Sequence, residues 1–296
     1  MDRNGRHPAG VISIHLEQIT PMSYYPPTYR RDETGYADRR LTIETGLVAE
    51  QANGAVLLQV ADTKLLVTAV ASTAPREGID FFPLTCDYEE KLYAAGRIPG
   101  SFPRREGRPT EAAILASRMI DRPMRPLFPK DFRNDVQVVA TVLSADQDTD
   151  PTTLAVLGAS LALAISDIPH GGPVGCARVG MIGGALVLHP RLTQLAESDL
   201  DLVVAGTYDS ISMVEAGARQ IPEATMLEAL RFAHDEIRRQ VEFQRGIVAA
   251  IGKPTLSYPS AALDPGVVEA VGQLVAGRIG SAARNADKAT REAQID

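Results

Sequence analysis

Three arginines in five residues, Arg104, Arg105 and Arg108, lie on a segment punctuated by Gly and Pro, directly before a helical pattern. Guanidinium groups stay charged and are costly to bury unpaired, so such a segment belongs at the surface. Arginine forks match phosphate oxygens two at a time, and a helix start after Pro109 adds backbone N–H groups to the same task. The chemistry on offer is the gripping of a polyanion. Between Arg97 and Arg133 nine basic residues stand against four acidic ones, a net +5, whereas the whole chain carries −7. A basic island on an acidic protein points to a directed polyanion site, not a generally sticky surface. Arg118, Arg122 and Arg125 recur at i, i+4 and i+7 inside that island, on one helical face. For them two readings stand: ion pairing with Asp121, Glu111 or a neighbouring subunit, and contact with phosphate.

Other reactive residue types offer less. Asp146, Asp148 and Asp150 alternate in what reads as a solvated turn before a helix, and Asp199 and Asp201 read as a surface pair. The five histidines (His7, His15, His170, His189, His234) are scattered and show no ligand spacing. Cys86 and Cys176 lack a CxxC arrangement, which argues against structural zinc and for buried small apolar groups in a reducing compartment. Aromatic residues make up 5% of the chain and Trp is absent, so stacking platforms are under-supplied. No apolar run reaches the length of a membrane span, and residues 1–40 lack a basic-then-apolar signal layout. The expected location is cytoplasmic, with no membrane partner.

The elements that must position the arginines follow from periodicity. Residues 1–38, rich in Pro, Tyr and Arg, read as a flexible tail, with Met22 an alternative start to Met1. Structure is expected to begin near Leu41, with strands over 41–46, 56–60 and 64–72, the last apolar enough to be central. Thr110 is a candidate N-cap for a helix carrying Ala112, Leu115, Ala116, Met119 and Ile120, which Pro123 and Pro126 are expected to end. A strand over 136–143 and an Ala/Leu-rich helix over 153–166 follow, with Gly158 implying close packing on a sheet. Hairpins are expected over 176–189, turning at Gly183-Gly184, and over 201–215. Pro222-Glu223 opens a long amphipathic helix with Met226, Leu230, Ala233, Ile237 and Val241 on one face. This is an α/β (α+β) pattern, a βαβα core with mixed sheets and packed helices spanning 39–252. A linker over 253–265 leads into an incomplete all-helical segment, 266–296.

Four stretches carry a resemblance. A-G-R-I-P-G-S-F-P-R-R-E-G-R-P-T-E (95–111), M-I-D-R-P-M-R-P-L-F-P (119–129), G-A-S-L-A-L-A-I-S-D-I-P (158–169) and D-L-V-V-A-G-T (201–207) resemble the polynucleotide phosphorylase family, and L-T-I-E-T-G (41–46) and Q-A-N-G-A-V (51–56) fit its beginning. The likeness runs from about Arg39 to the end. It implies the first of that family's two RNase PH-like halves and the opening of the helical region between them, so the chain is expected to be a fragment. It also implies 3′-to-5′ degradation of RNA to nucleoside diphosphates with inorganic phosphate as co-substrate. Further implications are reversible polymerisation, Mg²⁺, a homotrimeric ring threaded by single-stranded RNA, and RNA-degradation partners. Arg104, Arg105 and Arg108, with Phe102, match the aperture loop that holds the strand. Most members place two Phe before the arginines, and here Pro103 takes the second position.

The same resemblance bears on whether this half does chemistry. The family's catalytic half carries D-x5-D-x-K before V-A-G-T. Here Leu195 stands at the first Asp, Asp201 keeps the second and Val203 replaces the Lys. A phosphate-cradling Gly-Ser-Ser falls near Thr149-Asp150-Pro151-Thr152, where Asp150 repels phosphate and Pro151 has no N–H. The resemblance therefore implies a silent half with no catalytic or metal-binding residue in this chain, Mg²⁺ being held by the second half. Two alternatives stay open: a stand-alone RNase PH-type nuclease of tRNA 3′ ends, and a structural ring subunit without RNA contact.

Overall fold

Strand-forming segments pair into two sheets in this computed structural model, which describes residues 26, 28–100, 102, 104–146 and 148–295. The first sheet holds β1 (Arg30–Tyr36), β2 (Arg39–Thr45), β3 (Gly54–Val60), β4 (Thr63–Ala71), β5 (Leu84–Glu90) and β6 (Val136–Ser144) in the order β1-β2-β3-β4-β6-β5. Neighbours run antiparallel except β5, which lies parallel to β6. The chain returns between those two through α1 (Glu111–Met124), which packs on β5. Parallel neighbours need such a crossover, and this one carries the basic island.

The second sheet, β10-β9-β7-β8, is antiparallel and comprises β7 (Gly175–Ile182), β8 (Ala185–Leu188), β9 (Leu200–Gly206) and β10 (Ile211–Ala218). Gly183 and Gly184 turn the β7–β8 hairpin with φ of 58° and 79°, the doubly positive geometry that glycine supplies without steric cost. The helix α2 (Pro151–Ile165) packs against β3 and β4 of the first sheet and β7 of the second, and is buried nearly all round. Gly158 permits that approach: a Cβ there would lie 2.6 Å from Leu58 Cδ1 and from Val67 Cγ2. After the short α3 (Leu192–Leu195), α4 (Glu223–Ile251) lays Ala229, Ala233, Ile237 and Val241 across β7 and β9. One large apolar cluster fills the first sheet, α1 and α2, and a smaller one lies under α4.

Several expectations need correction. Ordered structure starts earlier than Leu41: within the segment read as tail to residue 38, Arg30–Tyr36 forms β1 and pairs with β2 along its whole length. Its sequence, RRDETGY, hides the strand because an edge strand displays charge; Arg31 and Arg40 both pair with Glu33. Residues 1–25, including Met22, His7 and His15, lie outside the described residues. The half-polar β5 went unanticipated. Pro123 does not stop α1 but sits in its last turn, and Pro126 falls in the 3-10 turn Arg125–Leu127. Cys86 is half-buried, whereas Cys176 is buried as expected.

Residues 253–262 run as a strap fastened to the core. Lys253 N–H donates to Ile165 O at 3.2 Å, Leu256 N–H to Asp167 O at 2.8 Å and Ala261 N–H to Asp131 O at 3.0 Å. The Tyr258 ring meets Phe132 edge-on at 4.8 Å, and the Tyr258 and Ser260 hydroxyls both donate to the Asp131 carboxylate. Beyond it, Asp264 caps α5 (Pro265–Ala282), which is followed by α6 (Lys288–Ile295).

Candidate nucleic-acid interface

Arg104, Arg105 and Arg108 are all exposed, on an irregular stretch that ends where the Thr110 hydroxyl accepts the Ala113 N–H at 3.1 Å and starts α1. Thr110 thus acts as the expected N-cap. Arg104 adopts a left-handed backbone, φ 51°. The one acid among these arginines, Glu106, is bound to the neighbouring turn. Its Oε1 accepts the Leu92 N–H at 2.8 Å, and its Oε2 lies 3.7 Å from Lys91 Nζ. Leu92 opens the 3-10 turn Leu92–Ala95, itself pinned by Ala145 N–H donating to Ala94 O at 3.1 Å. The loop is thereby tethered to the core by its carboxylate. Among the described residues, the side chains of Arg104 and Arg108 make no hydrogen bond or ion pair, and Phe102 is fully exposed, at 102%. Ser101 and Pro103 lie outside the described residues.

The second group of arginines splits. Arg118 is exposed on α1 without a partner among the described residues. Arg122 pairs with Glu215 on β10. Arg125 grips Asp121 at 2.6 Å and donates to the carbonyls of Phe82 and Leu84, and the Asp121 bond, opposed by partial burial, holds its pKa raised. Both of the latter serve to fasten α1 to its neighbours.

The stretch around Asp150 and Asp201 forms a closed ion network. Arg178 on β7 donates to Asp201 through Nε at 2.7 Å and through its terminal nitrogen at 2.6 Å, while its other nitrogen lies 2.9 Å from Asp150. Burial opposes the Arg178 charge, but the Asp201 hydrogen bonds and the charge of both carboxylates outweigh it and raise its pKa. Asp150 also accepts the Thr152 N–H at 2.9 Å as the N-cap of α2. Val203 is buried in the apolar core and cannot reach a ligand. Asp146 accepts the N–H groups of Asp148 and Thr149, and Asp148 binds Thr193 and Arg191, so the expected solvated turn is a knotted loop. Among the described residues no group of three or more His, Cys, Asp or Glu is placed to hold a metal ion.

Sequence reasoning passed over Glu106 and Arg178. The signal for Arg178 was present: a lone charge inside the small apolar run C-A-R-V-G requires a buried partner. For Glu106 no local signal exists, because its partner is a backbone N–H fourteen residues away.

The profile of the 3′ exoribonuclease family, domain 1, matches residues 37–169, and that of domain 2 of the same family matches residues 172–236. The chain belongs to the 3′ exoribonuclease family. The boundary between the family's two domains falls between the two sheets described above. Within this family, the chain is 56% identical over 259 residues to the polyribonucleotide nucleotidyltransferase of Heliobacterium modesticaldum, covering 88% of the chain and 36% of that protein. It is 52% identical over 260 residues to the polyribonucleotide nucleotidyltransferase of Syntrophomonas wolfei, again covering 88% of the chain but 37% of the relative. The chain therefore spans little more than a third of the length of these relatives. Among solved structures, a chain of the Archaeoglobus fulgidus exosome with RNA bound to the active site matches with a TM-score of 0.56 at 19% identity, covering 69% of this chain and 87% of that one. That likeness concerns the fold. No helix among the described residues is long and apolar enough to cross a membrane.

Proposed function

We propose that this chain grips single-stranded RNA for a phosphorolytic 3′-to-5′ exoribonuclease, a polyribonucleotide nucleotidyltransferase, while remaining catalytically silent itself. The observation that carries the reading is the arginine loop: Arg104 and Arg108 stand exposed and unengaged among the described residues, and the loop's own acid is bonded to the Leu92 N–H. Charge displayed in that way is spent on a polyanion, and backbone contacts of this kind position a strand without reading its sequence. In this reading Arg118, exposed on α1, and Phe102, the exposed aromatic two positions before Arg104, add to the grip. Arg122 and Arg125 support the site through α1.

The silence is supported by Arg178, whose guanidinium occupies Asp150 and Asp201 together. Among the described residues the Asp201 position does not fit Mg²⁺, since Asp201 is already engaged by Arg178 and Leu195 offers no oxygen. In this reading Mg²⁺ and the inorganic phosphate that attacks the terminal phosphodiester are handled by the part of the longer relatives that this chain does not span. A homotrimeric ring, association with RNA-degradation partners and a cytoplasmic location belong to the same proposal.

The test is single-stranded RNA binding across a salt series. For single strands log affinity falls with log salt by about 0.7 per phosphate neutralised, so replacing Arg104, Arg105 and Arg108 with Ala should flatten the slope by roughly two. An unchanged slope would sink the reading and favour a purely structural subunit. Phosphate-dependent release of nucleoside diphosphates by this chain alone would overturn its silence and favour the stand-alone nuclease.

A further inference from the structure

We propose that Tyr93 is a further RNA contact, a rigid platform on which a nucleobase stacks beside the arginine loop. The inference rests on the RNA-gripping reading above and adds to it a residue from outside the arginine segment.

Tyr93 is 58% exposed. The other described tyrosines are engaged: Tyr29 donates to Glu44, Tyr36 bonds Thr153, Tyr88 donates to Glu90, Tyr258 donates to Asp131, and the Tyr208 ring lies under Arg245. Tyr93 makes no hydroxyl hydrogen bond and no ring contact among the described residues. Its backbone, by contrast, is fixed. It occupies the 3-10 turn Leu92–Ala95, where Gly96 N–H donates to Tyr93 O at 2.9 Å, Arg97 N–H to Leu92 O at 2.9 Å and Ala145 N–H to Ala94 O at 3.1 Å. A large aromatic ring held out on a braced backbone loses little freedom when a base settles on it.

Its place relative to the arginines is set by Glu106. The carboxylate of that residue is bonded to Leu92 N–H at 2.8 Å, so the backbone carrying Arg105 and Gly107 passes within one side chain of the turn bearing Tyr93. A strand whose phosphates lie along Arg104, Arg105 and Arg108 has its bases within reach of a neighbouring ring. Stacking of this kind tolerates any base, because every base has a π-face. It also supplies an aromatic surface next to a segment whose sequence has Pro103 in place of a second Phe.

The experiment measures binding of a twelve-nucleotide oligoadenylate and of an abasic oligomer of equal length, by fluorescence anisotropy, to the wild type, Tyr93→Ala and Tyr93→Phe. Tyr93→Ala should weaken oligoadenylate binding about tenfold, the scale of one stacked base, with the salt slope unchanged. Tyr93→Phe should bind as wild type, and all three proteins should bind the abasic oligomer alike. Equal oligoadenylate affinity for Tyr93→Ala and wild type overturns the inference, as does an equal loss on the abasic oligomer. Neither result touches the arginine reading, which fails separately if the wild type binds neither oligomer.

Discussion

Arg178 holds Asp201 across β7 and β9 by two parallel hydrogen bonds, 2.6 and 2.7 Å long, and extends its remaining nitrogen to Asp150 at the head of α2. One guanidinium thus ties the second sheet to the helix packed between the sheets. The arrangement is structural first: it satisfies a charge that the small apolar residues of β7 could not tolerate alone.

Arg178→Ala should therefore destabilise the protein by about 2–3 kcal/mol, since it strands the largely buried Asp150 while leaving Asp201 partly solvated. Urea unfolding at pH 7 checks this. RNA affinity should be unchanged, because the partners of Arg178 are Asp150 and Asp201 and not the arginine loop.

Glu106 gives a prediction whose sign opposes simple charge. Glu106→Ala makes the loop more positive, which by screening arguments alone should tighten RNA binding. Losing the bond to Leu92 N–H unfastens the arginines, and we expect RNA affinity to fall severalfold, read as faster dissociation. Glu106→Gln keeps an acceptor for Leu92 and should remain close to wild type.

His170 sets a pH dependence. Burial against Phe128 holds its pKa down to about 4, outweighing an opposing pull from the backbone at Met124 and Gly172. Below the ordinary histidine value of 6.5 the unfolded chain takes a proton that the folded chain refuses until about pH 4. Stability is thus fully present above 6.5 and is lost as pH falls between those values, by about 2 kcal/mol between pH 7 and pH 5. Comparing His170→Phe with wild type at both pH values isolates this share; an equal loss in the two proteins would refute it.

Gly158→Ala places a methyl group 2.6 Å from side-chain carbons of Leu58 and Val67 in a core that has no room to yield. We expect about 1–3 kcal/mol of destabilisation by thermal or urea unfolding, from overpacking.

How far the sequence reveals the molecule depends on whether a residue's partners are local. Thr110 as a cap, the Gly183-Gly184 turn, the close approach at Gly158 and the buried face of α4 were legible because each depends on neighbours a few positions away or on a fixed period. The arginine loop was legible as charge without a place to hide. Strand β1 was not, because an edge strand carries no apolar alternation, and β5 was not, because only Leu84 and Tyr88 of its seven residues are buried. The intramolecular duties of Arg122 and Arg125 come from Glu215 and from the carbonyls of Phe82 and Leu84, contacts that only the fold creates.

A composition of Pro and Ser between a core and a helix normally signals a swivel, yet here Lys253, Leu256 and Ala261 are each bonded to the body they leave. Whatever follows Asp264 inherits its bearing from Asp131 and Phe132. The junction behaves as a bracket: reorienting the helices means first prising Tyr258 and Ser260 from Asp131, so the gait of any attached portion is set at the core's own surface.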